Sequence, residues 1–195
     1  AIHFYETEEE RTVELSAYQT PFSVVNRLVL QGKKEVLVAT DKGVFTIDLS
    51  RKAIRAKFPN LERKVGKVAV SDVYNYHNFG WIVGTKNQGM YVIYENGEIH
   101  QSTEDIFQKT SLLNNSISSV FRDNSGFLWI ASQRGLSVFD PASNEILGVG
   151  PSGNEESGIP TPSVWSFEEN ASGKYIYIGT DNGISRYDKA TGKFR

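Results

Sequence analysis

The sequence predicts an all-β protein built from a repeated unit of four antiparallel strands. A short turn that ends in glycine recurs four times, and the closing residues Gly43, Gly89, Gly135 and Gly183 stand 46, 46 and 48 residues apart. Each turn joins two apolar stretches of strand length, so each marks a hairpin in which glycine supplies a positive φ. A period of about 46 residues with four strands per repeat is typical of one blade of a β-propeller.

The four strands of a blade are clearest in the third repeat, at 117–122, 127–131, 136–140 and 145–149, with a turn at 123–126 between the first two. Residues 1–6 align with the third strand of a blade and residues 11–15 with the fourth. The blade boundaries are therefore expected at 1–20 (half a blade), 21–60, 61–110, 111–157 and 158–195. The best helical candidate is the connection at 103–109.

Composition excludes several classes of function. The 195 residues hold 21 Lys+Arg against 23 Asp+Glu, so no basic surface for a nucleic acid is expected. The chain has no cysteine, which excludes disulfides, zinc knuckles, iron–sulfur clusters and thiol nucleophiles. No apolar run approaches the roughly 18 residues of a membrane span, so we expect no membrane insertion of this segment.

The third repeat also carries a longer motif, which runs Leu113-Asn-Asn-Ser-Ile117, Asp123, Gly126, Leu128-Trp-Ile130, Gly135-Leu136 and Phe139-Asp140. This motif resembles the two-component regulator propeller repeat. The fourth repeat keeps much of the motif, with Tyr177 in place of tryptophan. The second keeps Trp81 but inserts about three residues after Asp72, and the first is the most divergent. In this interpretation Trp129, with its equivalents Trp81 and Tyr177, packs between neighbouring blades.

The resemblance implies a periplasmic sensor propeller of a bacterial hybrid histidine kinase system, with an oligosaccharide as ligand, no cofactor and no enzymatic activity. The alternative is a non-enzymatic propeller scaffold that binds proteins, and a propeller enzyme is the third possibility. Four and a half blades amount to 18 strands, whereas propellers close with roughly 4–8 whole blades. We therefore expect a fragment of a longer propeller, seven-bladed by the resemblance. Its partners would be the remaining blades or a second copy of the chain.

Two sequence features could indicate a dinucleotide or metal site, but the residues around them do not fit such a site. Residues 148–153 fit G-x-G-x-x-G, but the motif contains Pro151, and a polar stretch follows where a dinucleotide site needs a helix. His3, His77 and His100 stand 74 and 23 residues apart and have no metal-ligand spacing. The sequence therefore predicts no metal site and no catalytic residues.

The innermost strand of each blade is expected to contribute residues to the ligand site. Its pattern is two apolar residues that enclose two others, as in Val25-Asn-Arg-Leu28, Val65-Gly-Lys-Val68, Ile117-Ser-Ser-Val120 and Val164-Trp-Ser-Phe167. The enclosed residues should point toward the central channel. We predict ligand contacts from Asn26, Arg27, Lys67 and Trp165, and from Tyr76 and His77 in the inserted loop. The alternatives are that Trp165 fills the channel or meets the next blade, and that the loop is only solvated.

Overall fold

The computed structural model describes residues 3–6, 11–14, 20–51, 53–76, 79–108, 110–140, 142–143, 145–154 and 156–195. Within these ranges the chain forms four four-stranded antiparallel sheets, one two-stranded hairpin and one short helix. The strands of each sheet follow one another in chain order, as in a propeller blade. The predicted all-β fold of four-stranded blades is confirmed.

The hairpin consists of β1 (His3–Glu6) and β2 (Arg11–Glu14). Blade 1 consists of β3 (Val25–Gln31), β4 (Glu35–Thr40), β5 (Gly43–Asp48) and β6 (Ala53–Ala56). Blade 2 consists of β7 (Val70–Tyr76), β8 (Gly80–Thr85), β9 (Met90–Tyr94) and β10 (Ile99–Ser102). Blade 3 consists of β11 (Ile117–Arg122), β12 (Leu128–Ser132), β13 (Gly135–Asp140) and β14 (Glu145–Val149). Blade 4 consists of β15 (Val164–Glu169), β16 (Tyr175–Thr180), β17 (Gly183–Asp188) and β18 (Lys193–Phe194).

The recurring turn has the same local cause in every blade. The hydroxyl that ends the second strand donates a hydrogen bond to the carbonyl of the closing glycine. This bond joins Thr40 to Gly43 (2.9 Å), Thr85 to Gly89 (2.8 Å), Ser132 to Gly135 (2.8 Å) and Thr180 to Gly183 (3.0 Å). All four glycines have a positive φ, between 71° and 133°. The repeat in the sequence therefore records a turn that needs a hydroxyl at its start and a glycine at its end.

The turn glycines differ in how closely other backbone approaches them, which gives a prediction. A Cβ at Gly135 would lie 2.3 Å from the carbonyl oxygen of Val149, whereas a Cβ at Gly183 would meet nothing within 4 Å. Both variants carry the strain of a positive φ, and only Gly135→Ala adds the collision. We expect urea unfolding to show that Gly135→Ala costs about 1–3 kcal/mol more than Gly183→Ala. Equal costs would show that φ alone fixes glycine here.

The hydrophobic core lies between the faces of neighbouring blades. Alternate residues of each second strand point to opposite faces. On β12, for example, Leu128 and Ile130 pack against blade 2, whereas Trp129 and Ala131 pack against blade 4. On the faces of blades 1 and 4 turned away from the other described blades, large apolar side chains are exposed: Leu28, Leu30, Tyr177 and Ile184. The pairing of these faces with further blades or another copy stays a prediction.

The prediction that Trp81 is equivalent to Trp129 is wrong. The pairing of the first two strands places Ile82 opposite Tyr74, in the register in which Trp129 lies opposite Phe121. Trp81 precedes its turn hydroxyl, Thr85, by four residues, whereas Trp129 precedes Ser132 by three. Because strand side chains alternate, this one-residue difference turns Trp81 to the opposite face of its blade. There it packs toward blade 1, with the ring of Phe58 at 5.6 Å.

The helix of the described chain, α1 (Pro59–Val65), lies where the second inner strand was expected to begin. Proline at its first turn, Glu62 in the first turn and two basic residues in the last favour a helix. Gly66 ends it with a φ of 77°. The inner strand of blade 2 therefore runs Val70-Ser-Asp-Val73, and the prediction for Val65-Gly-Lys-Val68 is wrong.

The connection at 103–108 is not helical, so the prediction of a helix at 103–109 is wrong for its described residues. The Ser111 hydroxyl accepts from the Asp105 amide at 3.0 Å and donates to the Asp105 carbonyl at 2.8 Å. The Asp105 carboxylate in turn accepts from the Phe107 amide at 2.9 Å. Side chains thus occupy the backbone groups that a helix would need.

Candidate functional site

The inner strand of every blade carries a β-bulge at the same place. The strand pairing skips one residue between Val25 and Arg27, and does so again at the matching position of β7, β11 and β15. The extra residue of a bulge is left out of the ladder and its side chain is re-aimed. The four bulge residues are Asn26, Ser71, Ser118 and Trp165. They share a position in the repeat, but the residue there is asparagine, serine or tryptophan, as expected for a position that the fold leaves free to vary.

All four bulge residues line one cavity of about 510 Å³, which we call the inner cleft. The first strands of successive blades contact one another, so the cleft lies on the channel side of the propeller. Its lining is Asn26, Ser71, Lys86, Ser116, Ile117, Ser118, Gln133 and Trp165. The sequence prediction named only Asn26 and Trp165 among these residues as ligand contacts. The structure brings those two together.

Lys86 and Gln133 were missed by the sequence analysis. Each directly follows the turn hydroxyl of its blade, Thr85 or Ser132, and both side chains are exposed. The signal was present in the repeated turn, whose second residue changes from blade to blade: Asp41, Lys86, Gln133 and Asp181. Only the folded arrangement shows that this turn position and the bulge position meet at one cavity.

The two aspartates at this turn position are already occupied by hydrogen bonds. Asp41 accepts from the backbone amides of Ser23 (2.9 Å) and Val24 (3.0 Å), which lowers its pKa. Asp181 accepts from the indole Nε1 of Trp165 at 2.5 Å. Hydrogen bonding to Ser163, and next to Trp165, holds the pKa of Asp181 below its ordinary value. Asp181 is therefore a carboxylate at neutral pH that fixes the orientation of Trp165.

Trp165 is half-exposed, at 50%, although it is the largest side chain of the cleft. Asp181 fixes one edge of its indole, and the ring borders the open cavity. A rigid aromatic surface at the edge of a polar cleft suits the apolar face of a ligand that also carries hydrogen-bonding groups. Among the described residues, the cleft thus combines one aromatic platform, one cation, the amide of Gln133 without a hydrogen-bond partner, and several hydroxyls.

The other predicted contacts have different surroundings. The amide of Asn26 donates to the Val70 carbonyl at 2.7 Å, so it ties blade 1 to blade 2 while bordering the cleft. Arg27 does not line the cleft, and its Nε lies 3.5 Å from Asp72 Oδ1. Lys67 is exposed in the connection after α1, outside the cleft lining.

Tyr76 lies at the far end of β7, and its hydroxyl donates to the Gly126 carbonyl at 3.1 Å. The predicted inserted loop through Tyr74 is wrong for its described part, because Tyr74 and Tyr76 belong to strand β7. Position 77, the predicted contact His77, lies outside the described residues. Tyr76 is therefore not brought to the inner cleft, because the cleft lies at the opposite end of its strand.

Asp72 holds three blades together next to the bulges. Its Oδ2 accepts from the Val120 amide (2.9 Å) and the Ser119 hydroxyl (3.1 Å) of blade 3, and Arg27 of blade 1 lies beside Oδ1. Burial raises the pKa of Asp72, although these hydrogen bonds and the charge of Arg27 act in the opposite direction. Because Asp72 lies in the middle of β7, it is not the counterpart of Asp123, which lies in the turn after β11.

A larger groove of about 830 Å³ lies between the outer strands of blades 3 and 4, where it is lined by apolar residues such as Leu147 and Tyr187. Its charged side chains are already paired, because Lys189 Nζ lies 3.1 Å from Asp123 Oδ2. The inner cleft is therefore the stronger candidate for a polar ligand. Among the described residues no three His, Asp or Glu side chains are grouped to hold a metal ion.

Comparison with known proteins confirms the resemblance carried by the third repeat. Residues 111–134 match the family described as two component regulator propeller. No curated protein sequence matches the chain. In the described part of the chain no helix has the length and hydrophobicity needed to cross a lipid bilayer.

Several solved propellers are similar in fold. Two are extracellular domains of proteins described as hybrid two component systems of B. thetaiotaomicron. One is 17% identical with a TM-score of 0.70, over 89% of this chain and 24% of the other. The second is 16% identical with a TM-score of 0.73, over 94% and 23%. Virginiamycin B lyase of Staphylococcus aureus is 15% identical with a TM-score of 0.64, over 96% and 59%. The chain spans about a quarter of the two extracellular domains, and at these identities the likeness concerns the fold alone.

Proposed function

We propose, from the two component regulator propeller repeat at residues 111–134, that the chain is part of the periplasmic sensor domain of a bacterial hybrid two-component receptor. The inner cleft binds the ligand, which is an oligosaccharide, and the histidine kinase lies elsewhere in the parent protein. The proposal assigns no reaction to this chain. The similarity in fold to extracellular domains of hybrid two component systems supports the proposed location.

The single observation that carries the proposal is the state of Trp165. The other three blades place a small polar residue at the same bulge, so the fold does not need bulk there. Trp165 is nevertheless a tryptophan with half its surface exposed, and it is fixed by Asp181 at the border of the cleft. An indole that is held in place and left open to solvent is suited to stack on a sugar ring.

Replacement of Trp165 tests the proposal. We expect Trp165→Ala to weaken oligosaccharide binding at least tenfold, which corresponds to about 1.4 kcal/mol, because the stacking surface is lost. Isothermal titration of this chain with a panel of neutral and acidic oligosaccharides measures the effect. The melting temperature should change little, because a half-exposed side chain contributes little to the core.

Phe107→Ala is the matched control, because Phe107 is also an exposed aromatic residue (90%) but lies outside the cleft lining. It should bind like the parent chain. Equal affinities of the parent and Trp165→Ala would remove the cleft as the binding site. A large loss of melting temperature in Trp165→Ala would show instead that Trp165 is a packing residue, and no binding of any panel member would refute the proposed function.

A second candidate function, a scaffold that binds another protein, is favoured by one observation. Ile106 and Phe107 are 79% and 90% exposed on the connection between blades 2 and 3. Two adjacent bulky apolar side chains on a surface are typical of protein contacts. If signalling by the parent receptor were lost in Phe107→Ala but kept in Trp165→Ala, the scaffold function would be preferred.

A further inference from the structure

The inner cleft carries a positive charge, so an anionic ligand would be attracted to it. Lys86 is the one charged side chain in the cleft lining. Among the described residues its ammonium group forms no ion pair and no side-chain hydrogen bond, whereas Asp41 and Asp181 at the same turn position are both engaged. A cation that borders a cavity without a protein partner attracts an anionic group of a ligand.

Polar residues line the same cavity as Lys86. Ser71, the bulge residue of the same blade, is one of them, but its Oγ is closed to solvent and therefore to a ligand in the cleft. Gln133, in the next blade, presents an exposed amide to the same cavity. Lys86 of blade 2 and Gln133 of blade 3 can therefore form polar contacts with a ligand in the cleft.

In blade 4 the carboxylate of Asp181, which is not part of the cleft lining, holds the indole of Trp165. A ligand in the cleft therefore meets the cation of Lys86 in blade 2 and the exposed indole of Trp165 in blade 4.

We infer that the inner cleft selects acidic oligosaccharides, and that Lys86 binds the carboxylate of the ligand. This inference rests on the proposed function and names the ligand class of the same site. Because Lys86 is exposed, its charge is screened by salt, and the preference for the acid should weaken as ionic strength rises.

The test compares each acidic sugar with its own methyl ester, which removes the charge and keeps the ring. The probes are dimers to tetramers of galacturonic, glucuronic and mannuronic acid with their methyl esters, titrated into this chain at low salt. We expect the parent chain to bind at least one acid about tenfold more tightly than its ester. In Lys86→Gln that ratio should fall to about one, with the affinity for the ester unchanged. Lys33→Gln, which removes an exposed lysine from the far end of blade 1, should keep the parent ratio.

The outcomes separate this inference from the proposed function. Esters or other neutral oligosaccharides that bind as tightly as the acids would overturn the selection by charge and leave the proposed sensor function intact. A preference for acids that persists in Lys86→Gln would overturn the role of Lys86. Failure of every acidic and neutral oligosaccharide to bind the parent chain would overturn both proposals.

Discussion

Trp129→Ala is expected to lower the free energy of unfolding by about 3–5 kcal/mol. The side chain is 3% exposed and packs between blades 3 and 4, with the ring of Tyr187 at 5.1 Å and that of Phe167 at 6.0 Å. Its Nε1 also donates to Asp123 Oδ2 at 3.1 Å. Alanine therefore leaves a cavity between the blades and removes one donor from a buried carboxylate. Chemical denaturation followed by circular dichroism measures the loss.

Tyr177→Ala is the matched control for Trp129→Ala. Tyr177 occupies the same position of the repeat on β16, but it is 40% exposed because no described residue covers that face of blade 4. We expect a loss of about 1 kcal/mol or less, as for other surface substitutions. Losses of equal size for the two variants would contradict the assignment of stability to the packing between blades.

Lys189→Met is also expected to cost about 3–5 kcal/mol. Lys189 Nζ lies 3.1 Å from Asp123 Oδ2 and 2.8 Å from Glu169 Oε1, so it links the carboxylates of blades 3 and 4. The side chains of Asp123 and Glu169 are only 1% and 6% exposed. Methionine would keep most of the apolar contacts and leave two buried carboxylates without their cation.

Lys193→Met is the control, because Lys193 forms an ion pair of 2.6 Å with Glu156 in which both side chains are about half exposed. We expect this variant to lose less than about 1 kcal/mol, as is usual for surface ion pairs. If the two lysine variants were equally destabilised, burial would not be the cause.

The pH dependence of Lys189→Met provides a second measurement. Burial acts to lower the pKa of Lys189, but the hydrogen bonds and charges of Glu169 and Asp123 outweigh it and raise the pKa above 10.5. A raised pKa of a base means that its stabilising contribution is complete below the ordinary value and is lost as pH rises through the higher one. The difference in stability between parent and Lys189→Met should therefore be constant near neutral pH and shrink above about pH 10.5.

Much of the fold could be predicted because its signals are local. The turn from Ser132 to Gly135 depends on a hydroxyl, a carbonyl and a positive φ within four residues, and the same chemistry recurs in every blade. The strands of blade 3 were predicted to within one residue at each end. The helix at 59–65 has local signals in Pro59, in the charge pattern of its turns and in Gly66, but the period of the repeat predicts the start of an inner strand there.

The candidate site was only partly predictable. Asn26 and Trp165 were found because the inner strand has a regular apolar pattern, whereas Arg27 was expected in the cleft and instead pairs with Asp72. The bulge turns Asn26 to the cleft and leaves Arg27 beside Asp72. It is a feature of strand pairing, and no residue type at the bulge predicts it. Lys86 and Gln133 were missed because their importance depends on which turns meet around the channel.

The sequence by itself determined the four-stranded repeat, its turn and the alternation of apolar residues, because these depend on bonds and periods within a few residues of each other. Only the tertiary structure decided which carboxylates are joined by Lys189 and which side chains share the inner cleft. The physical reason is that these contacts join different blades. The bulge of each inner strand re-aims one side chain toward the cleft, and no local pattern in the sequence marks it.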